Sequence, residues 1–353
     1  MNVLSLFDGM SCTQIALNRM GIRPHNYFAS EIDPYAIKVT QANFPDTVQL
    51  GDVTKVETAD NKLEITTGNV TEYFGIDLLV GGSPCQGFSF AGKQLNFDDP
   101  RSKLFFEYVR LLKELKPKYF LLENVNMKQE YQDVISEQLG CKPVDINSNR
   151  VSAQNRRRLY WTNIPVHMLP ENKHIYLNDI LEDGFTDREK AHCVDANYFK
   201  GGNLKSYFEK HRRQLVFDFD DPKQTGLQMV GEANLKGHGY NRRVYHPDGK
   251  APTLAAASGG NLEPKILQIA RGANQGGIRA ENGKVPSMTG SSWEHNNFVT
   301  NGLKWRKLTP IECERLQTVP DNYTNHVSNT QRYRMLGNGF TVDVICHLLK
   351  GIA

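Results

Sequence analysis

The sequence has no Cys-x-x-Cys pair, no apolar run long enough to cross a bilayer, and little net charge. Its six cysteines (12, 85, 141, 193, 313 and 346) are scattered through 353 residues. That spacing speaks against both a disulfide framework and a zinc site. No apolar stretch approaches the ~20 residues of a membrane helix, so no membrane partner is expected. The N-terminus, MNVLSLFDGM, carries no basic leader and is interrupted by Asp8, so it reads as a first strand. The formal net charge of +3 identifies no partner by itself. Glycine is short where a dinucleotide fingerprint needs it. LFDGMSC does not meet G-x-G-x-x-G, which weighs against a nicotinamide oxidoreductase.

What is present is a regular alternation. NVLSLF, YFASEID, IDLLVGG, KYFLLENV and RLYWTNI have strand character. Between them lie CTQIALNRMGI, YAIKVTQANF, LFFEYVRLLKEL and YQDVISEQLG, which have helical spacing and stop at glycine or before proline. Strands separated by helices predict an α/β fold with a mainly parallel sheet covered on both faces. Ligands on such sheets bind at the carboxyl ends of strands, where Phe7, Glu31, Asp52, Cys85 and Glu123 all fall.

From about residue 184 the texture becomes rich in Gly, Asn and short β-type runs. DGKAPTLAAASGGN and NGKVPSMTGSSW share a Gly-Lys-x-Pro core, which suggests repeated hairpins. Between Lys236 and Arg306 there are ten Lys/Arg and only four Asp/Glu. A basic β-rich module on a mildly acidic body suits a polyanion. The expected division is a larger α/β domain at 1–183 plus 326–353, with a smaller β-rich domain at 184–325. The Thr-Pro-x-x-Glu in LTPIECERLQTVP starts a further helix, and VDVICHLLKGI is amphipathic.

Several side chains are candidates for chemistry. Cys85 follows proline in the glycine-flanked loop GGSPCQGFSFAGK, which would push its thiol into a cleft; a buried small residue is the alternative. Glu123 ends an apolar strand, where low dielectric could keep it protonated as an acid. Arg156 and Arg158 share one face if QNRRRLYW is a strand, which suits phosphate binding or thiolate stabilisation. Glu31 after the second strand and Asp52 after the third fit an adenosyl ligand with a free carboxylate and little phosphate, such as S-adenosylmethionine.

Taken in order, these segments resemble the carbon-5 cytosine-specific DNA methyltransferases along nearly the whole chain. LFDGMSC, SEID and GDVT resemble the family's three cofactor motifs. SPCQGFS resembles its Pro-Cys nucleophile loop, and ENV its Glu-Asn-Val motif. QNRRR resembles Gln-x-Arg-x-Arg, and LTPIECERLQTVP and RMLGNGFTVDVICHLL the closing motifs. Two departures stand out: a first motif poor in glycine, and Gly339-Phe340 where serine often follows Gly-Asn.

The resemblance implies a Rossmann-like methyltransferase fold with a target-recognition domain, and methylation of a cytosine in a specific duplex DNA sequence. Its catalytic residues would be Cys85, Glu123, Arg156 and Arg158. S-adenosyl-L-methionine would be held by Phe7, Asp8, Gly9, Glu31, Asp52, Val53, Pro84, Leu104 and Asn338, leaving S-adenosyl-L-homocysteine as product. Gln86, Ser89, Arg242, Arg243, Asn274, Gln275 and Arg279 would meet double-stranded DNA. The resemblance further implies a monomer in the cytoplasm of a bacterial or phage-infected cell, with a cognate restriction endonuclease as an optional partner. A tRNA cytosine-5 methyltransferase with the same chemistry is the alternative. A catalytically dead relative is disfavoured, because Cys85, Glu123, Arg156 and Arg158 are all retained.

Overall fold

In the computed structural model, residues 1–83, 100–202, 207, 210, 212–217, 229–233, 243–245, 265–266, 300–301 and 305–352 are described. The first half contains strands β1 (Asn2–Leu6), β2 (Asn26–Ser30), β3 (Val48–Gln49), β4 (Glu57–Ala59), β5 (Lys62–Thr67), β6 (Val70–Phe74), β7 (Leu78–Gly81), β8 (Tyr119–Val125), β9 (Val144–Asn147) and β10 (Arg157–Thr162). Helices α1 (Cys12–Arg19), α2 (Pro34–Asn43), α3 (Pro100–Leu115) and α4 (Gln129–Leu139) are interspersed among them. Seven strands form one sheet in the order β3-β2-β1-β7-β8-β10-β9. From β3 to β8 every pairing is parallel. Strand β10 runs antiparallel to both β8 and β9. The α/β class expected from the alternation is therefore observed.

The strands read as continuous apolar runs because both faces are buried. Their alternate residues feed two cores. Val3, Leu78, Val80, Leu121 and Tyr160 join one cluster, whereas Leu4, Leu6, Leu79, Leu122, Leu159 and Trp161 join the other. Helices α3 and α4 cover the second face through Phe105, Tyr108, Leu111, Ile135 and Leu139. The remaining strands β4–β6 form a separate antiparallel meander, beyond the elements expected from the sequence. Its Leu63, with Val56 just before β4, extends the same second core.

The chain downstream adds β11 (Leu215–Phe217), β12 (Met229–Ala233), β13 (Arg243–Tyr245), β14 (Lys265–Ile266), β15 (Thr300–Asn301) and β16 (Trp305–Lys307). Strands β12–β15 make a four-stranded sheet in the order β14-β13-β12-β15, and β11 pairs with β16. Three helices follow: α5 (Pro310–Leu316), α6 (Asn329–Asn338) and α7 (Val342–Leu349). Helix α5 opens with the expected capping box, in which Thr309 accepts from the Glu312 amide and Glu312 from the Thr309 amide. Helix α7 buries Val342, Val344, Ile345, Leu348 and Leu349 against α1, each worth about 1.5–3 kcal/mol relative to exposure. Leu308, Cys313, Leu316, Val319 and Tyr323 belong to the same core as α1 and α7. Helix α6 lies so close to the Asp195–Ala196 backbone that a Cβ at Gly337 would sit 2.2 Å from the Asp195 carbonyl carbon. No helix of the described residues is long and apolar enough to cross a membrane.

Candidate active site

The carboxyl ends of β1, β2, β3, β7 and β8 point to one rim of the sheet, and the polar candidates gather there. The turn after β1 is unusual in its backbone. Phe7, Gly9 and Ser11 all adopt positive φ (56°, 58° and 59°), although two of them carry side chains. The turn is held by Glu31, whose Oε2 accepts the Gly9 amide at 2.7 Å. The other oxygen accepts the Ile32 and Asp33 amides, each at 2.8 Å. Thus the half-exposed Glu31 carboxylate ties β2 to the turn after β1. Asp8 points inward: Tyr27 donates to its Oδ1 at 2.7 Å and Ser11 to its Oδ2. Loss of solvent outweighs these donors and pushes the Asp8 carboxyl up to about 6.

Phe7 and Leu104 are partly buried against the cluster that contains Val53. Asp52 caps the short turn Val53–Lys55, accepting the Thr54 amide and hydroxyl, each at 2.9 Å. Those bonds lower its carboxyl below the usual range. Asn338 ends α6 and is exposed.

At the end of β8, Glu123 faces Arg158. Arg158 Nε lies 3.0 Å from Glu123 Oε1, with side chains only 15% and 11% exposed. Burial works against the Arg158 charge, but Glu123, Cys193 and Tyr160 outweigh it and raise its pKa. Asn124 donates to Ser83 Oγ at 3.3 Å, linking β8 to the residue at which the Pro84-Cys85 segment departs. A Cβ at Gly82 would meet the Phe340 ring at 2.8 Å and Glu123 Oε2 at 3.3 Å. Phe340 therefore borders the same recess as Glu123.

Arg156 and Arg158 do not act as one pair. Arg156 precedes β10, and its buried guanidinium turns to backbone carbonyls: Val194 at 3.1 Å, Gly337 at 3.2 Å and Gly339 at 2.9 Å. Cys193 joins the two, with its Sγ 3.3 Å from Arg156 Nη1 and 3.9 Å from Arg158 Nη2. Nothing in the local sequence signals this thiol, which lies 37 residues beyond Arg156. Tyr27, Ser83 and Phe340 were likewise not singled out by their residue types. Gln154 is a buried pin that donates to Leu316 O at 2.7 Å and to Gln317 at 3.0 Å.

Cys85, Pro84, Gln86, Ser89, Arg242, Asn274, Gln275 and Arg279 lie outside the described residues. Arg243 is the first residue of β13, opposite Glu232.

Comparison with known proteins gives one consistent result. Residues 1–353 match the family described as C-5 cytosine-specific DNA methylase. The orphan methyltransferase M.SPBetaI of Bacillus phage SPbeta is 28% identical, over 98% of this chain and 96% of its own. The type II methyltransferase M.HhaI of Haemophilus parahaemolyticus is 28% identical, over 99% and 93%. Among solved structures, the Entamoeba histolytica methyltransferase EhMeth aligns with a TM-score of 0.55 at 17% identity, over 100% and 97% of the two chains, a likeness of fold.

Proposed function

Since this chain belongs to the C-5 cytosine-specific DNA methylase family and is a DNA (cytosine-5-)-methyltransferase, we propose that it methylates a flipped cytosine through a covalent adduct to Cys85. The observation that carries this reading is the Glu123–Arg158 ion pair beside Gly82, where Phe340 and Glu123 both approach the strand end from which the Cys85 segment departs. Carbon 5 of cytosine is a poor nucleophile. Addition of the Cys85 thiolate to carbon 6 gives carbon 5 enamine character, so that it can accept a methyl group. Loss of the carbon 5 proton then expels Cys85 and leaves 5-methylcytosine. Glu123 is the group to hydrogen-bond ring nitrogen 3 and relieve the charge that develops there. Because Glu123 rests in an ion pair with Arg158, that role requires a proton to arrive on its carboxylate as the base enters. The base must leave the stack to reach these groups.

The residues present fit S-adenosyl-L-methionine, which supplies an electrophilic methyl when bound. Phe7, Val53 and Leu104 offer an apolar slot for an adenine, and the half-exposed Glu31 a carboxylate for ribose hydroxyls. Gly9, Asp52, Pro84 and Asn338 complete the proposed cradle, and the product is S-adenosyl-L-homocysteine. Arg156 serves by holding the Gly337–Gly339 backbone, on which Phe340 depends.

The recognition role is assigned to the β-rich part of 184–325, and the catalytic role to 1–183 plus 326–353. The packing of Leu308–Tyr323 into the first core favours starting the returning segment near Leu308. Gln86, Ser89, Arg242, Arg243, Asn274, Gln275 and Arg279 are the proposed DNA contacts. The enzyme is proposed to act as a cytoplasmic monomer; the type II names of its relatives make a cognate endonuclease a partner worth testing. Methylation of duplex DNA and of tRNA by the purified chain, read by bisulfite sequencing, tests the substrate. Modified cytosine at a defined duplex site is expected; modification confined to tRNA would overturn the reading.

A further inference from the structure

The turn after β1 has a feature that general cofactor binding does not require: a partly buried carboxylate, Asp8, bound to buried hydroxyls. Both its oxygens are taken from inside, one by the Tyr27 hydroxyl on β2 and one by Ser11. Tyr27 is 4% exposed and Ser11 fully buried. Ser11 also lies 3.2 Å from the Thr40 hydroxyl and 3.3 Å from Gln14 Nε2, and Gln14 reaches Thr47 at 2.7 Å. Ser11 has φ 59° and ψ 46°, a left-handed conformation that costs a side-chain-bearing residue about 1 kcal/mol or more. A hydroxyl bonded to Asp8 offsets that strain; an alanine at this position would have the strain without the bond.

We propose that Tyr27 and Ser11 are positioning residues for the cofactor, acting through the ionised Asp8 to lock the Phe7–Ser11 turn in its binding shape. The proposal rests on the S-adenosylmethionine reading above. In the ionised form Asp8 accepts from both hydroxyls. Protonation removes one acceptor site and releases one side of the turn. Among the described residues, the groups that face Asp8 are Tyr27 on β2, Glu31 just after it, Ser5 on β1, Ser11 in the turn, Cys12 on α1, and Tyr323 from the segment after α5. Desolvation is the main cause that raises the Asp8 carboxyl, to about 6, and the Ser11, Ser5 and Tyr27 hydroxyls oppose it. Removing either Tyr27 or Ser11 as donor must therefore raise the carboxyl further.

The test is calorimetric binding of S-adenosylhomocysteine to the full-length chain from pH 5 to 8.5, which needs no turnover. Wild-type affinity is expected to fall as pH falls through about 6. In Asp8→Asn that step should vanish, which separates Asp8 from the nearby Glu31. In Tyr27→Phe the midpoint should move up, with binding about tenfold weaker at neutral pH. Ser11→Ala gives the same shift and serves alone if Tyr27→Phe does not fold. A merely structural role would weaken binding equally at every pH, so an unmoved midpoint in the folded variants overturns the proposal. So does a step that persists in Asp8→Asn. If the wild-type chain binds no S-adenosylhomocysteine, the cofactor reading falls and the proposal with it.

Discussion

Glu31 just after β2 and Glu123 near the end of β8 lie on one rim of the sheet, yet they are held in opposite ways. Three backbone amides surround Glu31, from Gly9, Ile32 and Asp33. Among the described residues, Glu123 is held by a side chain, the Arg158 guanidinium. Amides fixed in the main chain cannot leave, so the first carboxylate is part of the scaffold and shapes the turn that it touches. A guanidinium belongs to a side chain, so the second carboxylate has a partner that rotamer change can remove. The end of the rim proposed for the cofactor is thus fixed by the main chain, and the end proposed for catalysis by a side chain.

The largest way to break this comparison is at Glu123. Glu123→Gln should slow methyl transfer by about 10²–10⁴-fold, the usual worth of a positioned acid. Binding of S-adenosylhomocysteine, followed by calorimetry, should barely change. Equal loss of both would erase the distinction between the two carboxylates.

The next test sets Arg156 against Arg158. Arg156 is buried on backbone carbonyls from two segments, so Arg156→Ala should destabilise the fold by about 2–4 kcal/mol in denaturant titrations. Arg158→Ala should instead lower turnover, with a smaller loss of stability. A reversed pattern would mean that Arg156 is the group that meets the substrate.

Glu31→Ala should weaken S-adenosylhomocysteine binding about tenfold or more, because the Gly9 amide loses its anchor. Turnover at saturating cofactor should fall much less.

The smallest effect concerns pH and stability. Asp8 titrates higher in the fold than its ordinary 3.8, so the folded chain holds the extra proton. Its contribution to stability is therefore greatest at low pH and declines as pH rises through roughly 4 to 6. Thermal melts of wild type and Asp8→Asn should show the difference between them changing across that window. Cofactor affinity is expected to change the opposite way, which makes the two readouts distinguishable.

How much of this was legible in the sequence differs between elements for physical reasons. Strands β1, β2, β7, β8 and β10 and helices α1–α4 were readable because burial on two faces demands continuous apolar strands and amphipathic helices, whereas the edge strand β9 was missed because VDIN is short and only partly buried. The meander β4–β6 was not picked out: KLEITT and VTEYF are polar and mostly exposed, although Asp60-Asn61 between β4 and β5 is a turn signal. Helix α6 was missed because NTQRYRMLGN has little apolar content and is positioned by contacts such as Gly337 on Asp195. Strand alternation predicted a shared face for Arg156 and Arg158, but it governs only residues inside the strand, and β10 begins at Arg157. Glu31 and Glu123 were placed on the rim because strand-end positions follow from topology, whereas Val53 and Leu104 came only from the family resemblance, since one lies in a short turn and the other inside α3. The hydroxyls around Asp8 were not, since they come from a turn and a neighbouring strand. The expected base-reading residues Arg242, Asn274, Gln275 and Arg279 fall outside the described residues.

The central claim is that Cys85 forms the bond to the base. Duplex DNA with 5-fluorocytosine at the target, incubated with S-adenosylmethionine, tests it, because fluorine cannot depart as the carbon 5 proton does. The wild-type chain should give a denaturation-resistant protein–DNA adduct in gel electrophoresis, and Cys85→Ser none. An adduct that persists in Cys85→Ser, or none from a wild-type chain that methylates unmodified duplex, would contradict the account.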